Sequence, residues 1–450
     1  MRHSRCLFCG NLLSSAACVA TVVAGCASYM PGRLPTGPPP TAWRPGEVLR
    51  ARVPAGTRRE VVLDDRDGLS PDEAALMALD QNPRLRAVRA ERGMAEAALL
   101  AAGILPNPRL DGSLDFPVSG RDATGLGYGV GLSWNVMPLV SRGARVSAGE
   151  ENLASVDMDV AWQEWQVAQA ARLHTIRSVY LERRIALGAK VEGTSRQRLN
   201  ELRHAQAAKA ATALDVATAE RSLADVQVVR LRLRQQLVAE RAALNQAIGL
   251  DARAEPIVDT SWSPPGTAPS TDSLLQSLPL RRLDIIALQH AQLSHDQALR
   301  AAVLAQFPAV TIGVRTGREV DQSGFAGVTL SFEIPFFNRN QGDVARERAQ
   351  RVRLEAEYDA RLLEARAEVV RFAKESALVE QQIAVSTEAA DAAARLAELA
   401  RAATSSGGLS TLVVADLEER AYAARLRTLE IQQTLAELRL ALVISSGVDW

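Results

Sequence analysis

Apolar and polar positions alternate with period two in four short stretches of the chain. Leu126, Tyr128, Val130, Leu132, Trp134 and Val136 are large and apolar, and Gly125, Gly127, Gly129, Gly131, Ser133 and Asn135 between them are small or polar. Successive side chains of a strand point to opposite faces, so this pattern predicts a strand with one apolar face. The segment L-G-Y-G-V-G-L-S-W-N-V-M-P-L-V-S-R, Leu126 to Arg142, has a near copy roughly 200 residues later in V-T-L-S-F-E-I-P-F-F-N-R, Val328 to Arg339. Ahead of the first, Leu110, Leu114, Phe116 and Val118 alternate with Arg109, Asp111, Ser113 and Asp115. Ahead of the second, Val310, Ile312 and Val314 alternate with Thr311, Gly313 and Arg315. With Val328, Leu330, Phe332 and Ile334 this predicts four strands in two pairs, over about 108–118, 125–137, 308–316 and 325–335.

Elsewhere the period is helical. Ser70, Pro71 and Glu73 form a capping box with proline at the first helical position. Asn82-Pro83 interrupts that helix, a second runs to about Leu105, and Pro106 and Pro108 close it. After Arg142 a helical pattern continues for about 60 residues to the neighbourhood of His204, roughly 90 Å of helix. The later copy shows the seam: Tyr358, Leu362, Ala365, Val369, Phe372, Ser376, Val379 and Ile383, spaced alternately by four and three. A seven-residue period predicts helices coiled about one another. Subtracting 198 gives Val160, Glu164, Val167, Ala171, His174, Ser178, Leu181 and Ile185, a shared seam with Glu164 as its exception. Breaks at Ala205–Thr212 and Ala402–Ser410 precede two return helices. There the offset pairs Leu214 with Leu412, Val216 with Val414, Glu220 with Glu418, Leu244 with Leu442 and Gly249 with Gly447. The chain therefore reads as a tandem duplication, 69–251 and 271–450, joined by a linker over 252–270 around Pro264 and Pro265.

Composition agrees with long helices rather than a thick core: of 450 residues only 4% are aromatic. Lysine plus arginine equals aspartate plus glutamate at 52 each, so nothing points to a nucleic-acid partner. All four cysteines, Cys6, Cys9, Cys18 and Cys26, lie in a start where Arg2 and Arg5 precede an apolar run from Leu12 to Ala24. This predicts a secretory signal over 1–25. Val23-Ala24-Gly25-Cys26 resembles a bacterial lipobox, which makes Cys26 the expected lipidation site. An ordinary cleaved signal is the alternative. Residues 26–68, rich in proline and without periodicity, are expected to form an extended lipidated tether.

No enzyme is indicated. The glycines of G-L-G-Y-G-V-G fall every second residue inside a strand pattern, and no helix begins there. H-E-x-x-H, P-loop and G-x-S-x-G motifs are lacking, and no cofactor is expected. No metal site is expected either. His174 takes the seam place of Phe372, and His290 and His295 miss the i, i+4 spacing that sets two ligands on one helix face.

Four strands with a lipid-compatible face match a membrane barrel, but an open sheet edge in hydrocarbon leaves backbone groups unpaired at several kcal/mol each. Four strands cannot close around a pore, so several protomers must share one barrel, continued by a tube of coiled helices. Leu126, Tyr128, Val130, Leu132, Trp134, Val328, Leu330 and Phe332 would face lipid, and Arg109, Asp111 and Asp115 a watery lumen.

These features together resemble the TolC family of outer-membrane efflux channels over nearly the whole mature chain. L-x-x-N-P-x-L at Leu79–Leu85, L-P-N-P-R-L at Leu105–Leu110 and I-P-F-F-N-R-N-Q-G at Ile334–Gly342 resemble its CzcC-type, heavy-metal branch. The resemblance implies a mainly α fold with a small membrane β part. In it a homotrimer forms an α-barrel and a shared 12-stranded transmembrane β-barrel in a Gram-negative outer membrane, above a periplasmic helical domain. It implies a tripartite pump as well, with a periplasmic adaptor and an inner-membrane resistance-nodulation-division transporter as the partners that choose the cargo. By the same resemblance Gly407, Gly408, Leu409 and Ser410, with Thr212 and Leu214 in the first copy, are tip residues that meet the adaptor, although a glycine helix cap accounts for the pair as well. Ala210 and Ala211 depart from the glycine pattern at the first tip. Asp416 falls near an acidic position that narrows the periplasmic mouth, or is a solvated helix carboxylate. Export of organic compounds, a type I secretion duct, or a coiled-coil structural lipoprotein without a pore are the alternatives; the last predicts no paired strands.

Overall fold

The computed structural model describes residues 30–32, 34, 48–52, 58–62, 68–116, 118, 125–264, 266, 268–405 and 409–449. The expected signal, Cys26, Gly407 and Gly408 lie outside the described residues. The chain divides into two units, residues 1–41 and 42–450, and all the secondary structure described belongs to the second.

Each repeat reads helix, helix, strand, strand, long helix, return helix. The first comprises α1 (Pro71–Gln81), α2 (Pro83–Gly103), β3 (Arg109–Asp115), β4 (Gly127–Asn135), α3 (Met137–Ala207) and α4 (Ala213–Ile248). The second comprises α5 (Thr271–Arg281), α6 (Leu283–Leu304), β5 (Val310–Arg318), β6 (Gly324–Phe332), α7 (Gln341–Ser405) and α8 (Thr411–Ser446). Ahead of both, β1 (Val48–Arg52) and β2 (Arg58–Val62) form an antiparallel hairpin with Val48 opposite Val62. The sequence reading of 26–68 as an extended tether did not mark this hairpin, since neither V-L-R-A-R nor R-R-E-V-V alternates apolar and polar positions throughout.

The helix starts follow their caps. Glu73 N–H donates to Ser70 Oγ (3.3 Å), and Ser70 N–H donates back to the Glu73 carboxylate (2.9 Å). Asn82 closes α1 and caps α2, its Oδ1 accepting from Arg84 N–H at 2.8 Å. The long helix α3 begins at Met137 rather than after Arg142, and β4 stops at Asn135 rather than running to 137. Pro138 is the reason: lacking an N–H, it suits a first helical turn and not a strand interior. At 71 residues α3 is roughly 105 Å long. The second strand pair is displaced against expectation in the same way, β5 running on to Arg318 and β6 ending at Phe332, three residues before Pro335.

The duplication is visible in the packing. Leu244 and Ile248 of α4 are buried against Met77, Ala171 and Val179, while Leu442 of α8 is buried against Leu274, Leu278 and Val369. Both return helices end on a left-handed glycine, Gly249 (φ 92°) and Gly447 (φ 68°). A side chain at Gly249 would also meet the Gln81 carbonyl at 2.9 Å. The helix break beside each glycine is tied to it: Asn82 Nδ2 donates to the Ala247 carbonyl (2.7 Å), and Arg282 Nη1 to that of Ser445 (3.1 Å). Ion pairs repeat as well. Arg241–Glu182 (2.7 Å) corresponds to Arg439–Glu380 (2.9 Å), each residue shifted by 198.

The seam of α7 is as expected, with Ala365, Val369, Ser376 and Val379 buried and Leu363, Leu378 and Val385, which lie off it, exposed. In α3 burial extends further round, through Ala168, Ala171, Thr175, Ile176, Val179, Tyr180 and Leu181, because helices of both repeats pack on it. Its three polar seam residues find partners: Arg89 Nε donates to Glu164 at 2.5 Å, His174 Nδ1 lies 2.8 Å from Glu240 Oε2, and Ser178 Oγ donates to the His174 carbonyl at 2.8 Å.

Candidate functional site

The four strands form one antiparallel sheet in the order β3-β4-β5-β6, so the central pair joins the two repeats. Register decides which residues share a face, since partners directly opposite project to the same side. Leu110 pairs with Leu132, Leu132 with Val314, and Val314 with Val328. Trp134 pairs with Ile312 and Ile312 with Leu330, and Val310 pairs with Phe332. Every strand thus contributes to a single apolar face containing Tyr128, Val130, Leu132, Trp134, Val328, Leu330 and Phe332, with Leu126 just ahead of β4. Among the described residues nothing covers this face: Val328 is 86% exposed, Leu330 67% and Leu132 48%. A contiguous apolar surface of this kind marks a contact with lipid or protein.

Tyr128 and Arg318 face each other at the loop end of that surface, and at the helix end the Trp134 indole donates to the Pro106 carbonyl at 2.8 Å. Amphipathic rings and a cation at such edges suit a membrane boundary. Arg318 was not legible as a member of this face, because only the pairing with Tyr128 places it there.

The opposite face carries Arg109, Asp111, Ser113 and Asp115 of β3, glycines and Ser133 of β4, Thr311, Gly313, Arg315 and Gly317 of β5, and Gly327, Thr329 and Ser331 of β6. Arg109 and Asp111 form an ion pair at 3.0 Å. Phe325 is the exception, an aromatic ring on the polar face. Among the described residues β3 and β6 each have one neighbouring strand, which leaves both edges of the sheet open.

The helices below meet in a matching way. α3 packs on α4 and α7 on α8, and α3 meets α8 across the junction. The flanking helices α4 and α7 carry exposed apolar residues, Val228, Leu231 and Val238 on one and Leu363, Leu378, Val385, Leu396 and Leu399 on the other.

At the far end of the hairpins Thr212 caps α4 in a box with Asp215, and Leu214 beside it is 67% exposed. Leu409 and Ser410 hold the equivalent place ahead of α8, both exposed, with Ser410 at the cap position. Asp416 lies on α8 and pairs with Arg420 one turn on (2.9 Å). Two residues further, Glu418 gathers Arg401 of α7 (2.6 Å) and Arg198 of α3. Burial raises the pKa of its carboxyl, but hydrogen bonds from Arg198 and Arg401 outweigh that and hold it below the ordinary glutamate value. In the first hairpin the equivalent residues form the pair Arg203–Glu220 (2.7 Å).

Histidines are engaged between helices: His290 Nδ1 lies 2.7 Å from Glu151 Oε2 and His295 Nδ1 2.8 Å from Glu347 Oε2. Among the described residues no group of three or more His, Cys, Asp or Glu is placed to hold a metal ion.

The fold defines a class, the TolC-like outer-membrane channel fold. The chain is similar to CusC, whose crystal structures concern folding and transmembrane channel formation, with a TM-score of 0.69 at 18% identity, covering 85% of this chain and 93% of that one. It is similar to the outer membrane protein VceC of Vibrio cholerae (0.68, 17%, covering 84% and 96%). The Campylobacter jejuni CmeC outer membrane channel gives 0.71 at 13%, covering 92% and 94%. By sequence, residues 274–448, nearly the whole second repeat, match the family model described as Outer membrane efflux protein. No curated protein matches the chain significantly by sequence.

Proposed function

We propose that this protein is an outer-membrane efflux channel in which three protomers share one barrel. The observation that carries it is a four-stranded sheet with one exposed apolar face, one polar face and two open edges. In hydrocarbon such edges are tolerated only when paired, so β3 of one protomer meets β6 of the next. A head-to-tail contact of this kind gives a ring where its rotation closes, and the apolar stripes of α4 and α7 continue it through the helices. The count of three, giving twelve strands, rests on the likeness to TolC-type channels.

Within this reading Cys26 carries lipid at the outer membrane. Thr212, Leu214, Gly407, Gly408, Leu409 and Ser410 meet a periplasmic adaptor, an inner-membrane resistance-nodulation-division transporter supplies the cargo, and Asp416 faces the periplasmic mouth. The CzcC-like motifs favour heavy-metal cations as that cargo. Cysteine pairs across the proposed edge test the ring: Gly112→Cys combined in turn with Gly327→Cys, Val328→Cys and Thr329→Cys should give oxidised bands at two and three times the protomer mass. Monomer alone from the whole set would contradict a shared barrel. Deletion should lower tolerance to heavy-metal cations; lost tolerance to organic compounds with metal tolerance intact would reassign the cargo.

A further inference from the structure

The polar face of the sheet is made of small side chains wherever β4, β5 and β6 supply it, with two exceptions, Arg315 and Phe325. They lie on adjacent strands and belong together. Phe325 is opposite Gly317, and its ring lies across β5 towards β4. A Cβ at Gly317 would stand 2.8 Å from Phe325 Cζ, and one at Gly129 would stand 3.7 Å from it. Two glycines in neighbouring strands thus make the floor on which the ring rests. The Arg315 guanidinium carbon sits 5.4 Å from the ring centroid, within cation–π reach.

Among the described residues no carboxylate neutralises Arg315. Asp111, which shares its level on the sheet through Gly131, is paired with Arg109 at 3.0 Å and accepts from Ser133 Oγ at 3.3 Å. Among the described residues Arg315 forms no ion pair with a carboxylate. A cation stacked on that ring, beside a floor of glycines, keeps N–H groups to offer on the polar side of the sheet.

The geometry points to Arg315, held by Phe325, as an anion-contacting element that sets the charge preference of the barrel interior. The inference rests on the channel reading, in which the polar face lines the lumen and three copies form a belt at one depth. A ring of like charge between low-dielectric walls raises the local concentration of the opposite ion.

Reversal potentials in planar bilayers under a potassium chloride gradient test it, using the purified full chain and the variants Arg315→Lys, Arg315→Glu and Phe325→Leu. Arg315→Glu should raise the potassium-to-chloride permeability ratio by about three-fold or more. Arg315→Lys should leave the ratio near that of the parent, and Phe325→Leu should move it in the direction of Arg315→Glu but less far. Should Arg315→Glu fail to assemble, Arg315→Cys treated after insertion with a sulfonate-bearing and then, separately, a neutral thiol reagent supplies the same charge contrast. An unchanged ratio in channels of normal conductance would overturn the belt and leave the channel reading standing. A parent protein without conductance would overturn both.

Discussion

Single residues carry much of the specification. Gly249 combines a positive φ with a close approach to the Gln81 carbonyl, so Gly249→Ala should lower stability by about 1–3 kcal/mol, read as a fall in Tm. Gly447→Ala should act in the same sense at the second repeat. Glu418 makes a pH prediction. Its folded-state pKa is depressed, so its contribution is full above the ordinary glutamate value and is lost as pH falls through the folded value. The tie between α3, α7 and α8 should therefore hold at neutral pH and weaken only as pH falls below the ordinary glutamate value. Glu418→Gln should remove that acid dependence, measured as hydrogen exchange at the hairpin ends against pH; an unchanged profile would show that other carboxylates govern it.

Residues were also where sequence reading met its limit. The capping box at Ser70 and the break at Asn82-Pro83 were legible because both are local. The seat of the Phe325 ring was not, because it is made by Gly317 and Gly129 in two other strands. Glu164 looked like a flaw in the α3 seam, and its answer, Arg89, is 75 residues away on another helix.

Among the elements, the strands were legible in kind and not in extent. Alternation shows that a strand exists, whereas its ends are set by pairing and by Pro138 and Pro335 at the junctions. The hairpin of β1 and β2 stayed hidden in a proline-rich stretch. The sheet predicts an asymmetry between its faces: Leu132→Asp should impair insertion into lipid, since an acid on that side is destabilising, though by less than the about 2–4 kcal/mol of Arg or Lys at the midplane. Ser133→Asp, one residue on and facing the other way, should be tolerated. Heat-resistant assembly in outer-membrane extracts distinguishes them, and equal tolerance would contradict the assignment of faces. Loss of the cap at Thr212 by Thr212→Ala should cost about 1 kcal/mol and loosen the first tip alone.

At the scale of the whole molecule, the repeat explains why a chain of few aromatic residues folds as it does. Each hairpin buries a narrow seam, and the two hairpins bury the rest against each other through Ile176, Tyr180, Ala436 and Leu440. What the chain leaves uncovered is as specific as what it buries: an apolar sheet face, two strand edges, and apolar stripes on the flanking helices α4 and α7. Each asks for lipid or for another copy. The most direct test is to insert the purified full chain into planar bilayers and determine its oligomeric mass in the same detergent. A trimer with discrete conductance steps is the predicted result. A monomer that conducts nothing would contradict the shared barrel.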